Sequence, residues 1–163
     1  MGHPGFSWVG ALFLLALLFP NLLWTKRQPA GYDPSGESKL LLTLERVGQV
    51  LAACIALLFR DFNWRPWTAW SWWLVGAVML MVLYELWWAR YFRSRRTLDD
   101  FYSSFLGVPA AGATLPVLAF FLLGIYGRVL WMLPAAAALG VGHIGIHLQH
   151  RNQLSERKET TYE

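Results

Sequence analysis

The chain has 163 residues, 56% of them hydrophobic and only 15% charged, with ten tryptophans and a single cysteine. A water-soluble domain carries about a quarter charged residues, and the apolar residues here run in long blocks rather than amphipathic stripes, so composition excludes an ordinary soluble domain and indicates a small polytopic membrane protein. The formal net charge of +4 comes from basic residues between those blocks, where they orient the chain and touch anionic lipid, so it does not imply nucleic-acid binding.

Five apolar blocks follow in order, at residues 7–24, 39–59, 71–91, 110–127 and 130–150. Each has about the length of a bilayer-spanning helix. The expected fold is all-α: one integral membrane domain over residues 1–163 with five transmembrane helices and a short polar tail, 151–163. The first block lacks a basic leader and a small-residue cleavage site, and Lys26 and Arg27 follow it, so it reads as a retained span and not as a signal peptide. Asp33-Pro34-Ser35-Gly36 is a turn, with Ser38 the expected N-cap of the second block. Cys54, alone and inside that block, excludes an internal disulfide and argues against a thiolate metal site.

Trp64, Trp67, Trp70, Trp72 and Trp73 form an aromatic belt at one interface, and Trp24, Trp87 and Trp88 are expected to mark the other. Leu98, Phe101, Tyr102 and Phe105 recur at helical spacing and predict a short interfacial helix between the third and fourth spans, ended by Gly107 and Pro109. Pro116 should bend the fourth span and Pro134 start or bend the fifth. Ten basic residues (Lys26, Arg27, Lys39, Arg90, Arg93, Arg95, Arg96, Arg151, Arg157, Lys158) fall on one side of a five-span chain and three (Arg60, Arg65, Arg128) on the other. That asymmetry predicts a cell (inner) membrane protein with its N-terminus outside and its C-terminus in the cytoplasm.

Ionisable groups are costly in hydrocarbon, so their positions carry the functional signal. Glu45, Arg46, Glu85, His143 and His147 each fall within about 10 Å of the cytoplasmic ends of their spans at the helical rise, with Asn21, Gln49 and Thr114 in the same third of the bilayer. His143, His147 and His150 lie on one helix face, continued outward by Gly140 and Ala136; Glu45, Gln49, Ala52 and Ala56 make a matching stripe, and the two are expected to face each other. Arg46 is expected to pair with Glu85 or another carboxylate, His150 to be solvated at the interface, and the tryptophans to be interface anchors. With neutral histidines the layer sums to −1, which calls for a proton or a bound cation.

The leading reading is a cation- or proton-handling transporter or transporter subunit, working as a homo-oligomer or within a membrane complex, with membrane lipid as its surroundings and no nucleic-acid partner. The runner-up is a membrane-embedded metal-dependent enzyme acting on a lipid. In it His143 and His147, at metal-ligand spacing, would hold a divalent ion such as zinc with Glu45 or Glu85, and Asn21, Arg46, Gln49 and Thr114 would complete the polar pocket. The third is an accessory protein whose polar layer only holds helices together. Whether the chain is an enzyme stays open. Bis-histidine haem ligation does not fit, because residues four apart on one helix cannot reach both faces of the ring, and no Ser or Cys stands beside a base at nucleophile spacing.

Overall fold

A computed structural model describes residues 2–162, apart from the side chains of 158 and 160–162; Lys158, one of the ten orienting cations, falls among these. The chain is 73% helical, with no strand among the described residues. Its helices are α1 (Trp8–Thr25), α2 (Lys39–Leu58), α3 (Trp72–Arg93), α4 (Leu98–Tyr102), α5 (Ala111–Gly127) and α6 (Met132–Tyr162). Three helical segments, Trp8–Thr25, Lys39–Leu58 and Ala69–Arg93, are long and apolar enough to cross a membrane; α5 is a shorter apolar helix.

Local chemistry sets the helix ends. Ser7 caps α1, its hydroxyl accepting from Gly10 N at 2.9 Å. Ser38 occupies the N-cap position of α2, but its side chain makes no capping bond; its backbone N–H donates instead to Gln149 Oε1 at 3.3 Å. Asp33 Oδ1 accepts from Ser35 N at 2.9 Å, the Asx turn expected of that stretch. Pro116 lies inside α5 and Pro134 in the first turn of α6, where its missing N–H costs nothing. The last helix does not stop at His150. Its tail is rich in Gln, Arg, Glu and Lys, good helix formers without a Gly or Pro to end the helix, and it runs on to Tyr162.

The five long helices close a ring in the order α1, α2, α6, α5, α3, with the most extensive contacts between α2 and α6 and between α3 and α5. Glycines set the close approaches. A Cβ at Gly48 would overlap the Leu139 backbone, and one at Gly142 the backbone of Leu41 and Glu45. Gly140, expected on the same seam, instead faces Val117 of α5; the α2 seam runs one face over, through Gly142 and Gly145. Aromatic rings use the same device. A Cβ at Gly112 would meet the Trp87 ring at 2.5 Å, and one at Gly127 the Phe62 ring at 2.5 Å.

Two expectations fail together. Trp87 and Trp88 are only 1% and 3% exposed, and they are core residues rather than interface anchors. Trp87 stacks on Tyr91 and Trp88 on Phe92, and both touch Phe101. Helix α4, expected to lay its apolar side on lipid, turns Phe101 and Tyr102 into the bundle. It also ends at Tyr102. Phe105 and Val108 then pair across a tight turn whose central residues, Leu106 (φ 50°) and Gly107 (φ 80°), are both left-handed. The helical spacing holds for Leu98, Phe101 and Tyr102 but not for Phe105, and the partner is the aromatic floor of the bundle. By contrast Trp64, Trp67 and Trp72 are exposed at the opposite end, as a belt requires.

Candidate functional site

Between α1, α2, α5 and α6, at the end where Arg27, Arg93, Arg95 and Arg96 gather, lies a cavity of about 290 Å³. That is near the lower bound for small-molecule pockets, about 300 Å³. Helix α2 contributes Glu45 and Gln49, α6 His143 and His147, and α1 Asn21 and Trp24. No Lys or Arg lines it among the described residues.

Its centre is a contact between two helices. His143 Nδ1 lies 2.5 Å from Glu45 Oε1, each side chain partly exposed to the cavity. The contact is possible because Gly142, one residue before His143, lets the α6 backbone sit directly on α2 at Leu41 and Glu45. One turn on, the His147 ring lies 4.7 Å from that of His143, centroid to centroid, and packs against Phe101 and Tyr102. His147 is 8% exposed and its Nδ1 has no hydrogen-bond partner. Asn21 donates to Leu17 O at 2.7 Å and to the Tyr84 hydroxyl at 2.8 Å, which fixes its amide at the cavity wall.

The loop between α1 and α2 closes the cavity from below. Tyr32 and Glu37 both line it, with the Tyr32 hydroxyl 3.5 Å from Glu37 Oε1. Glu37 Oε1 also meets His150 Nε2 at 3.1 Å, and Gln149 Nε2 donates to Gly36 O at 2.6 Å. His150 is therefore not a solvated interface residue; it is 8% exposed and stacked on Tyr102. Burial, with the Glu37 carboxylate beside it, pushes the Tyr32 hydroxyl up to about 12, so it stays a donor at neutral pH. Burial, then Tyr32 and Glu37, raises Tyr102 as well.

Of the residues singled out in the sequence, Asn21, Glu45, Gln49, His143 and His147 come together. Glu85, Arg46 and Thr114 do not join them. Glu85 sits on α3 away from the cavity, with Oε1 buried and without a hydrogen-bond partner. Arg46 is exposed and makes no ion pair among the described residues, because α2 turns Glu45 to α6 and so turns the neighbouring Arg46 outward. The expected Arg46–Glu85 pair does not form. Thr114 donates to Pro109 O and Ala110 O behind its own helix. Among the described residues no group of three or more His, Cys, Asp and Glu is placed to hold a metal ion. That leaves the metal reading short of the three protein ligands of a catalytic zinc site. Trp24, Tyr32, Glu37, Phe101 and Tyr102 escape a reading by depth alone; the one signal for two of them is the Asp33–Gly36 turn, which folds Tyr32 and Glu37 toward each other.

No protein-family profile, no curated protein and no solved structure matches this chain.

Proposed function

We propose that the protein crosses the membrane five times and handles a proton or a cation in this cavity, as a small transporter or a subunit of one. In this reading α5 and residues 132–150 of α6 join the three longer apolar helices as spans. At about 26 and 28 Å they approach the thickness of the hydrocarbon core. The basic end faces the cytoplasm by the positive-inside rule. Leu12, Leu15, Phe19 and Leu22 of α1 are exposed, as a lipid-facing or subunit-facing helix requires.

The observation that carries the reading is the 2.5 Å contact between Glu45 and His143 in the cavity wall. The contact needs one hydrogen between the two atoms, supplied by the imidazole Nδ1–H or by a carboxylic acid, so Glu45 and His143 are the groups through which a proton would be taken up or released here. A cation entering the cavity competes with that proton for the Glu45 carboxylate, so binding and proton release are exchanged at one site. The ionisable groups around the pair are His147 on its own helix, Glu37 and Tyr32 from the loop, Tyr102 from α4 and His150 at the mouth; among the described residues no Lys or Arg lines the cavity. Toward the other end, Gly48 against Leu139 closes the α2–α6 seam, so passage along that seam to the tryptophan end would require the helices to move.

Infrared difference spectra of the purified protein between acid and alkaline pH test this. A carboxylic-acid carbonyl band that titrates in the wild type and vanishes in Glu45→Gln is the expected result. A wild type without a titrating band assignable to Glu45 sinks the reading.

A further inference from the structure

Two boundaries of the cavity bear on how a ligand would enter it. At the basic end the loop of residues 26–38 lies across it, tied to α6 by Glu37–His150 and Gln149–Gly36. On the flank between α1 and α2 the situation is different. These helices are pinned together at the tryptophan end, where Ser7 N donates to Leu57 O at 2.9 Å, Gly5 N donates to Leu58 O at 2.8 Å, and a Cβ at Gly10 would overlap the Ala56 carbonyl. Further along, Leu17, Leu18 and Asn21 of α1 and Glu45 and Gln49 of α2 line the cavity together. Leu18 is 45% exposed and Gln49 is exposed too. Their neighbours on that flank, Leu15, Leu22 and Val50, are exposed and apolar. A slot between these two helices would open sideways, onto the surface that lipid would cover.

The chemistry inside selects the sign of a ligand. Two carboxylates, Glu37 and Glu45, face the cavity with no Lys or Arg. Aromatic rings stand beside them, Trp24 stacked on Phe101 at 5.3 Å and Tyr32 edge-on to Trp24 at 5.1 Å, and their faces attract a cation. His147 adds an independent sign of an occupant: a nine-tenths buried ring at the wall whose Nδ1 finds no partner in the protein. Leu17, Val117, Phe120 and Leu139 supply an apolar wall for a hydrocarbon body.

We infer that the ligand of this cavity is an amphiphilic amine, taken from the lipid phase through the α1–α2 slot, with its charged head against Glu45 and its hydrocarbon tail trailing out past Leu18 and Gln49. The inference rests on the reading of the cavity as a cation site and goes beyond it in naming the class of cation and its route. The test is calorimetric titration of the full-length protein in phosphatidylcholine nanodiscs with octylammonium, against octyl sulfate, octanol and methylammonium, with protein-free nanodiscs as the blank. Saturable binding near one per chain is expected for octylammonium, at least about tenfold tighter than for methylammonium, which lacks the tail, and none for octyl sulfate or octanol. Glu45→Gln and the lip variant Leu18→Trp should each weaken it at least about tenfold; Leu18→Trp changes an exposed position and leaves the core intact. Equal binding of octyl sulfate, no saturable binding at all, or undiminished binding by Leu18→Trp overturns the inference. If the Glu45 infrared band still titrates in that preparation, the loss falls on the amine and its route; if the band is missing as well, the cation reading falls with it.

Discussion

The two ends of the bundle solve opposite problems with different residues. At the tryptophan end the backbones meet: Gly10 lies on Ala56, Gly127 makes room for Phe62, and Asn63 ties the start of α1 to the loop after α2 through Phe6 O, Val9 N and the Ser7 hydroxyl. Arg65 and Trp70 both donate to Tyr126 O, closing the remaining gap. At the basic end α2 and α6 still meet backbone to backbone at Gly142, but α1 lines a cavity against them, walled by rings and ionisable groups. Small residues bring helices close enough to exclude everything else. Polar residues with long side chains need room, and here they find it on the α1 side of the α2–α6 seam. The sealed and hollow ends thus differ at α1, whose Gly10 lies on Ala56 while its Leu17, Leu18 and Asn21 line the cavity.

The largest expected effect breaks the packing that makes the hollow end possible. Gly142→Leu would drive a side chain into the α2 backbone at Leu41 and Glu45, and should cost about 3 kcal/mol or prevent folding. Gly36→Ala, in the loop below the cavity with only Gln153 Nε2 near its Cβ at 3.8 Å, should change stability by less than about 0.5 kcal/mol. Unfolding in mild detergent measures both; equal effects would mean that close backbone approach does not hold this end together.

Next comes the pair at the centre. Glu45→Gln and His143→Gln should be non-additive by about 1–2 kcal/mol, because the two side chains share a contact. Glu45→Gln and Glu85→Gln should add within about 0.5 kcal/mol, because Glu85 lies outside the cavity. A double-mutant cycle that couples the two glutamates instead would restore the single polar layer that depth alone suggested.

That contrast marks what was legible in the sequence. Apolar blocks located the helices to within a few residues, except at the end of the last, which runs on to Tyr162, because hydrophobic length is a local property. The facing of Glu45 and His143 was legible too, since a helix stripe with a polar group and small residues has few partners. Depth, however, is one coordinate and facing is another. Glu85, Arg46 and Thr114 share the depth of the cavity but point elsewhere, and nothing local in the sequence distinguishes them. Trp87, Trp88 and His150 were misjudged for a related reason. Residues of their type near the end of an apolar helix are usually at an interface; here α4 packs against all three, and α5 takes the Trp87 ring at Gly112.

A smaller effect tests the loop. His150→Ala removes the ring that holds Glu37 and stacks on Tyr102, so amide hydrogen exchange over residues 31–38 should speed up while exchange in α3 stays unchanged. Unaltered exchange in the loop would show that Gln149 alone suffices to hold it.

The smallest effect lies at the sealed end. Burial works to raise the Asp61 carboxyl, but hydrogen bonds from the His3 backbone and ring outweigh it and hold the group below the usual carboxylate range. A depressed carboxyl contributes stability above its unfolded value, about 4, and that contribution is lost as pH falls through the lower folded value. Asp61→Asn should therefore cost under about 1 kcal/mol at neutral pH, given that His3 is largely exposed, and flatten the acid limb of the stability curve below about pH 4. An unchanged acid limb would place the acid sensitivity at the other end.

The fit of Trp87 into the space left at Gly112, and of Phe62 into that left at Gly127, has a bearing on descent. Each ring can exist only while its glycine does, and each glycine is needed only while its ring does. Among sequences that diverge from this one while keeping the same helix ring, positions 87 and 112 should therefore change as a couple, and so should 62 and 127: a side chain gained at one is matched by bulk lost at the other. Such paired exchange, found between residues 25 and 65 positions apart, would identify remote kin that overall identity no longer reveals.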